Sequence, residues 1–311
     1  MPLTFKKPRA YSRQQWTKEE EQKLLELIAQ GLPPCEIMMY FPNRSRASIT
    51  NKIRKMRIKY DLYGEDHRKH KYQLAEKWVQ EIKPETVLDG FAGHGNLTKI
   101  YLKYANTVYA VEINKTIFEK LKTNIEKTLS SKAEKIADNI YLIENSHKKA
   151  ILINSDIKDA IYYLGSQNIT FDFIDLDPCG TPMPVIPLLP KLSKENGYVA
   201  ITFGDFHSYR FRRYDVLAKT MPILFDIKPN EGFIPKKVKD IEEFNKYLIT
   251  WASILWILPQ GFHDFTYLEL VEEHSLGERK PKGVLRVLFQ VKKGEANAET
   301  IKKIQSLLNR E

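Results

Sequence analysis

Thr86-Val87-Leu88-Asp89-Gly90-Phe91-Ala92-Gly93-His94-Gly95-Asn96-Leu97-Thr98 is the stretch that decides the fold. A short apolar run ends in an acid, a glycine-rich turn follows, and a helical pattern starts directly after it. Glycines in such a turn let the backbone approach a ligand closely, and the acid can hold a charged amine or a ribose. Upstream, Leu74, Ala75, Trp78 and Val79 mark the face of a helix. Downstream, the run 107–111 ends in Glu112, 23 residues beyond Asp89. That matches the offset of roughly 20 residues to an acid that binds ribose hydroxyls.

The alternation continues. Residues 150–154 lead to Asp156-Ile157, residues 171–176 run into Asp177-Pro178-Cys179-Gly180, and residues 198–203 precede Gly204-Asp205. Strand-like and helix-like segments in turn predict an α/β fold around a mostly parallel, Rossmann-like sheet with both faces covered. Acids and polar groups then collect on one sheet edge, where open sheets bind ligands. Segments 265–271 and 284–291 predict an antiparallel closing hairpin. Residues 214–262, with Trp251 and Trp256, read as an extra helical segment over the sheet edge. Residues 296–310 read as a terminal amphipathic helix with Ile301, Ile304 and Leu308 on one face.

With these motifs in this order, the chain resembles the Rossmann-like S-adenosyl-L-methionine-dependent methyltransferases. VLDGFAGHGNLT looks like their first motif, AVEIN their ribose acid, NSDI the acid beside adenine, and DLDPCGTP their fourth motif. The resemblance implies S-adenosyl-L-methionine as cofactor. Asp89, Gly93 and Gly95 would line its methionine part, Glu112 its ribose, and Asp156 with Ile157 its adenine. Phe91, Asn96, Ile113 and Asp177 complete the expected cofactor-binding set. A nicotinamide dehydrogenase competes structurally, but its G-x-G-x-x-G spacing needs a third glycine where Thr98 stands.

The segment FIDLDPCGTPMPVIPLL…GYVAITFGD resembles most the archaeal and eukaryotic tRNA (guanine-N2) dimethyltransferases, which carry Asp-Pro-aromatic-Gly-Ser-Pro. The resemblance makes Asp177, Pro178 and Cys179 the catalytic set for methylation of an exocyclic amino nitrogen. In such enzymes the acid and a backbone carbonyl accept hydrogen bonds from the amine, and no strong base is needed. Cys179 departs from the pattern, standing where an aromatic ring would stack on the base. A cysteine after proline also suits cytosine C5 chemistry through a thiolate, or simply fills space. Beyond the fifth strand, aromatics and arginines interleave in Phe206, Tyr209, Arg210 and Arg212. They suit base stacking and phosphate binding, or alternatively core packing beside a solvated helix start. His94 and His207 are candidate proton handlers or polar wall residues.

The 311 residues carry a formal net charge of +10, unevenly spread. Residues 1–70 hold 15 Lys/Arg against 8 Asp/Glu, and residues 43–60 hold seven basic side chains and no acid. Such a cluster attracts phosphate backbones. Thr17 and Glu20 form a capping box ahead of Leu24, Leu25 and Ile28, and Gly31 suits the helix stop. A short CEIMMYF helix follows, then a third helix with Ile49, Ile53 and Met56 on its buried face. WTKEEEQKLLELIAQG…FPNRSRASITNKIRK resembles Myb/SANT-type helix-turn-helix domains. That implies base contacts from Thr50, Asn51 and Arg54, and phosphate contacts from Arg44, Arg46 and Arg57. Protein binding, or RNA binding without sequence preference, are the alternative uses of this unit.

The expected organisation is a basic helix-turn-helix domain at 1–62, a linker at 63–71, a methyltransferase domain at 72–293 and a C-terminal helix at 294–311. The partner is nucleic acid, DNA and/or tRNA, with either a site-selecting module or a general anchor at the N-terminus. A DNA-binding regulator that only senses cofactor is disfavoured by Asp177-Pro178. No apolar run approaches a membrane span, no secretory signal is evident, and the expected location is cytoplasmic. Two distant cysteines and seven scattered histidines predict neither disulfide nor metal.

Overall fold

The computed structural model describes residues 15–29, 32, 34–59, 67–210, 213–228, 232–236, 238–260, 265–276 and 284–294. The chain divides into two units, Met1–Asp66 and His67–Glu311. Among the described residues no helix is long and apolar enough to cross a membrane.

The first unit contains α1 (Lys18–Ala29), α2 (Pro34–Ile37) and α3 (Arg46–Lys59). The capping box starts α1: the Glu20 amide donates to Thr17 Oγ1 at 3.2 Å, and the Thr17 amide to Glu20 Oε2 at 2.9 Å. Ser45 opens α3 by accepting from the Ser48 amide at 3.2 Å. Leu24, Leu27, Ile28, Ile37, Phe41, Ile49, Ile53 and Met56 form a small separate core. Trp16 closes it edge-on against Phe41 at 5.3 Å. Gly31 and the side chains of Cys35 and Arg57 lie outside the described residues.

The second unit starts with α4 (His67–Ile82), so residues 67–71, expected as linker, are helical. Their charged, histidine-rich composition hides this, because the buried stripe of α4 begins only at Leu74. Residues 63–66 lie outside the described residues. Then follow β1 (Thr86–Asp89), α5 (Asn96–Tyr104), β2 (Thr107–Val111), α6 (Lys115–Leu129), β3 (Glu134–Ala137), β4 (Ile140–Glu144), β5 (Lys149–Ile153), α7 (Ile157–Ser166), β6 (Phe171–Leu176) and β7 (Ser193–Phe203). After these come α8 (Asp205–Arg210), α9 (Tyr214–Thr220), β8 (Phe225–Lys228), β9 (Gly232–Pro235), α10 (Ile241–Ile257), β10 (Thr266–Leu276) and β11 (Val284–Lys293).

The main sheet has the order β10-β11-β7-β6-β1-β2-β5-β4-β3. Its centre, β7 through β5, is parallel, while β11 and β10 run antiparallel as the closing hairpin. The sheet is therefore mixed. A β3–β4 hairpin extends the other edge, an addition the sequence pattern missed because all four β3 residues are exposed and show no alternation. The segment 214–262 is not purely helical either, since β8 and β9 form a separate two-stranded sheet within it.

Two apolar clusters back the main sheet. One joins α7 and α10 to it through Leu164, Phe244, Leu248 and Trp256; the other joins α4, α5 and α6 through Trp78, Tyr101 and Phe118. The chain moves outward from β1 through β2 to β5, then returns to β6 on the opposite side of β1. The crevice between β1 and β6 is thus the topological switch point, where ligands bind in such sheets. The terminal helix expected at 294–311 lies outside the described residues, apart from Gly294.

Candidate cofactor and acceptor site

Asp89 closes β1, fully buried at that switch point. Its Oδ2 accepts from Thr98 Oγ1 at 2.6 Å, while Oδ1 is buried without a hydrogen-bond partner. Thr98, which displaces the third glycine of a dinucleotide loop, therefore orients the acid. Burial first, then the neighbouring Asp175 carboxylate, pushes the Asp89 carboxyl up to about 7. Asp175 is its cross-strand neighbour in the β1–β6 register.

The turn after β1 is stitched to both flanking strands. The Gly90 amide donates to the Asp175 carbonyl at 2.9 Å, and the Ala92 amide to the Val111 carbonyl at 2.9 Å. Gly93 (φ +54°) and Gly95 (φ +83°) adopt left-handed backbone that favours glycine. A Cβ at Gly95 would meet Leu121 Cδ1 at 2.7 Å, whereas one at Gly93 would project into open space. Gly95 thus packs the loop onto α6, and Gly93 leaves room beside it.

Glu112, at the end of β2, is clamped by two backbone amides. Gly93 donates to Oε2 at 3.1 Å and Asn114 to Oε1 at 2.7 Å. Each carboxylate oxygen keeps a second lone pair for a hydroxyl. The adjacent Ile113 is 65% exposed, an apolar surface next to a fixed acid. Ile157 is buried at the start of α7, and Phe91 is half-buried against the same core. Asp156 caps α7 by accepting from the Lys158 amide at 2.8 Å, a local duty that accounts for its place in the sequence. Asn96 donates to the Tyr72 hydroxyl at 3.2 Å.

These features fit a cofactor carrying an amine, a ribose and a flat ring. The unpartnered Asp89 oxygen calls for a cationic donor, Glu112 offers acceptors to a diol, and Ile113 offers a face to an aromatic ring. Raising the pH should therefore strengthen cofactor binding. Asp89 holds its proton below about 7 in the free protein, whereas a bound ammonium favours the carboxylate, so binding expels a proton. Calorimetric titration with S-adenosyl-L-methionine should show affinity climbing from pH 6 to pH 8, and Asp89→Asn should flatten that climb. The sign for folding is opposite. A carboxyl raised by burial favours the folded state while protonated and ceases to do so as pH passes about 7.

Asp177 leaves β6 on the same sheet edge, its side chain largely buried, in an ion pair with Lys71 of α4. Pro178 follows it, partly buried. Cys179 is exposed, so it does not serve as a space-filling core residue. The loop is tied to the end of β7 by the Gly204 amide, which donates to the Gly180 carbonyl at 3.2 Å. Asp205 lies beneath, with Oδ2 unpartnered and its carboxyl raised to about 6 by burial against an opposing Thr181 hydrogen bond.

Several residues that sequence reasoning did not single out cluster here. Arg286 of β11 is fully buried and grips Asp175 with two nitrogens, at 3.1 and 2.8 Å, and Thr202 Oγ1 at 2.7 Å. Tyr101 donates its hydroxyl to Asp175; burial and that carboxylate hold its phenol well above the ordinary value. The guanidinium carbon also lies 5.3 Å from the Trp78 ring. Charged residues inside the apolar runs FIDL and VLRVLF were the available signal, since a buried charge needs a partner.

Other expected contacts are turned elsewhere. Arg44 does not stand ready for phosphate: it pairs with Glu20 at 2.5 Å, donates to the Gln15 carbonyl at 2.7 Å and lies 4.7 Å from the Trp16 ring. Arg46, Thr50, Asn51 and Arg54 are exposed on α3, opposite its buried stripe. Phe206 and Tyr209 pack on Phe244 at 5.4 and 5.0 Å, and the Tyr209 hydroxyl accepts from the Val238 amide. Both rings thus support α10 and do not form a free stacking platform. The His207 and Arg210 side chains, and all of Arg212, lie outside the described residues.

Sheet order, switch point and site together define an α/β fold of the Rossmann-like class with a closing antiparallel hairpin. A solved structure with this fold is Trm1 from Pyrococcus horikoshii in complex with S-adenosyl-L-methionine. It superposes with a TM-score of 0.57 at 15% identity, covering 76% of this chain and 58% of that one. A family model described as N2,N2-dimethylguanosine tRNA methyltransferase matches residues 68–209. Two relatives, from Thermoplasma volcanium and Pyrococcus furiosus, are both described as tRNA (guanine(26)-N(2))-dimethyltransferase. They are 30% and 28% identical over 128 and 130 residues, which is 41% and 40% of this chain. The matched segments span 31% and 32% of those relatives, about a third of their length. The family match begins at Arg68, leaving the basic N-terminal unit outside it.

Proposed function

We propose that this chain is an S-adenosyl-L-methionine-dependent methyltransferase that modifies the exocyclic amino nitrogen of a nucleic-acid base, with guanine N2 of tRNA as the acceptor. The observation that carries this reading is the convergence at one sheet edge of a buried acid with an unpartnered oxygen, an acid clamped by two backbone amides and an Asp-Pro loop. The comparisons support tRNA over the DNA substrate that the N-terminal unit alone suggests.

Asp89 and the 93–95 turn would hold the methionine part of the cofactor, Glu112 the ribose, and Ile113 with Ile157 the adenine. When bound, the cofactor supplies a methyl group on a sulfonium. Asp177 and a carbonyl of its loop accept the two N–H groups of the amine, which turns the nitrogen lone pair toward that methyl. The same carboxylate takes the proton that the methylated nitrogen sheds. A base in a paired stem must first be extruded, with unstacking as the cost.

The three-helix unit is read as a Myb/SANT-like helix-turn-helix that anchors nucleic acid through α3. In the full chain, Arg46→Glu with Arg54→Glu should weaken binding to tRNA at least tenfold and lower the salt slope by about two. Cofactor affinity should stay unchanged. Filter binding across salt concentrations reads both quantities, and coincident curves for wild type and variant would remove α3 from the interface.

The deciding experiment is transfer of tritiated methyl to unmodified tRNA, duplex DNA and single-stranded DNA, followed by nucleoside mass analysis. Label on guanine N2 of tRNA is expected. Label confined to DNA overturns the acceptor assignment, and no label on any nucleic acid overturns the reading as a whole.

A further inference from the structure

Lys71 sits in the second turn of α4, outside every motif of the cofactor and acceptor loops, yet its ammonium is paired with the acid of the Asp-Pro loop. Both side chains are only 12% exposed. The pair belongs to a dense charge cluster. Asp175 and Asp177 both bear on Asp89, and Lys71 is felt by Asp89 as well. Arg286 answers Asp175 with two hydrogen bonds. Arg286 also feels the Asp177 charge, but Lys71 is the cation in direct contact with Asp177. Tyr72, the next residue, meets Asn96 at the start of α5, which places this turn of α4 beside the cofactor loop.

A lysine in this position donates to the acceptor atoms that an incoming amine must use. It also places a full positive charge beside the site of a cofactor whose ammonium and sulfonium outweigh its one carboxylate. At protein-surface dielectric, unit charges a few ångströms apart interact by several times thermal energy. An ammonium on a flexible four-carbon stem can move aside without unfolding its helix.

We propose that Lys71 is a resident counter-cation of the acceptor site: it holds Asp177 in the free enzyme and is displaced when cofactor and acceptor amine arrive. It is a positioning residue, acting through Asp177. The inference rests on the methyltransferase reading above, and it states why an acid so sheltered tolerates its charge before substrate binds.

The test is calorimetric titration of the full chain with S-adenosyl-L-methionine and, separately, with S-adenosyl-L-homocysteine, for wild type, Lys71→Met and Lys71→Arg. Removing the competing charge should tighten S-adenosyl-L-methionine binding about tenfold. The gain should be smaller for the homocysteine compound, which lacks the sulfonium charge, and Lys71→Arg should bind like wild type. A merely structural lysine would not distinguish the two ligands. Weaker binding by Lys71→Met would make Lys71 a cofactor ligand, and equal binding would make it a space filler; either overturns the proposal. Should Lys71→Met fail to fold, Lys71→Gln carries the same comparison. Wild-type protein that binds neither compound would instead overturn the cofactor reading, leaving the two failures distinct.

Discussion

Replacing Asp177 by alanine is expected to lower methyl transfer by about a thousandfold while cofactor still binds. The expectation adds two functions lost at once: an acceptor that orients the amine, and the site that receives its proton. Asp177→Asn separates them, because its amide oxygen still accepts a hydrogen bond but takes up no proton. It should retain more transfer than alanine, with a deficit of roughly tenfold to a hundredfold. Single-turnover transfer to tRNA, measured beside a cofactor binding isotherm, reads both quantities. Undiminished transfer by Asp177→Ala would remove the Asp-Pro loop from the chemistry. The exposed thiol of Cys179 would then become the group to examine.

Arg286→Met should cost about 3–5 kcal/mol of stability, a drop in Tm on the order of 10 °C. The arginine contributes little over an apolar residue in principle, since burying a charge is expensive. The loss comes from what remains behind: Asp175, fully buried next to Asp89 in the strand register, with Tyr101 as its remaining side-chain donor among the described residues. Adding Asp175→Asn to Arg286→Met should restore about half of the lost stability, since the amide can still accept from Tyr101. Thermal melts of the single and double variants test this. A double variant less stable than Arg286→Met would mean that Asp175 is supported by something other than its arginine.

Much of the site was legible because its parts are local in the chain. The turn from Asp89 to Asn96 requires glycine where the backbone is left-handed, and Gly93 and Gly95 stand at those positions. Glu112 lies one strand further on, and the Asp-Pro loop begins where β6 ends. The capping box of Thr17 and Glu20 is likewise a four-residue signal. A run of exposed residues such as β3 carries no period, and so the hairpin it forms with β4 left no trace in the pattern.

Roles that depend on a distant partner were not legible. Arg44 reads as a phosphate contact until the fold brings Glu20 and Trp16 against it. Phe206 and Tyr209 read as a stacking platform until α10 offers them Phe244. Asp175 and Arg286 lie 111 residues apart, and Lys71 and Asp177 106 apart. Periodicity and turn chemistry act over a few residues, and so they specify the strands, the glycine turn and the order of the acids along one edge. A charge has no period. Which acid is neutralised, which is left with an empty oxygen and which lysine stands guard are settled when the sheet closes and burial forces each charge to find a partner.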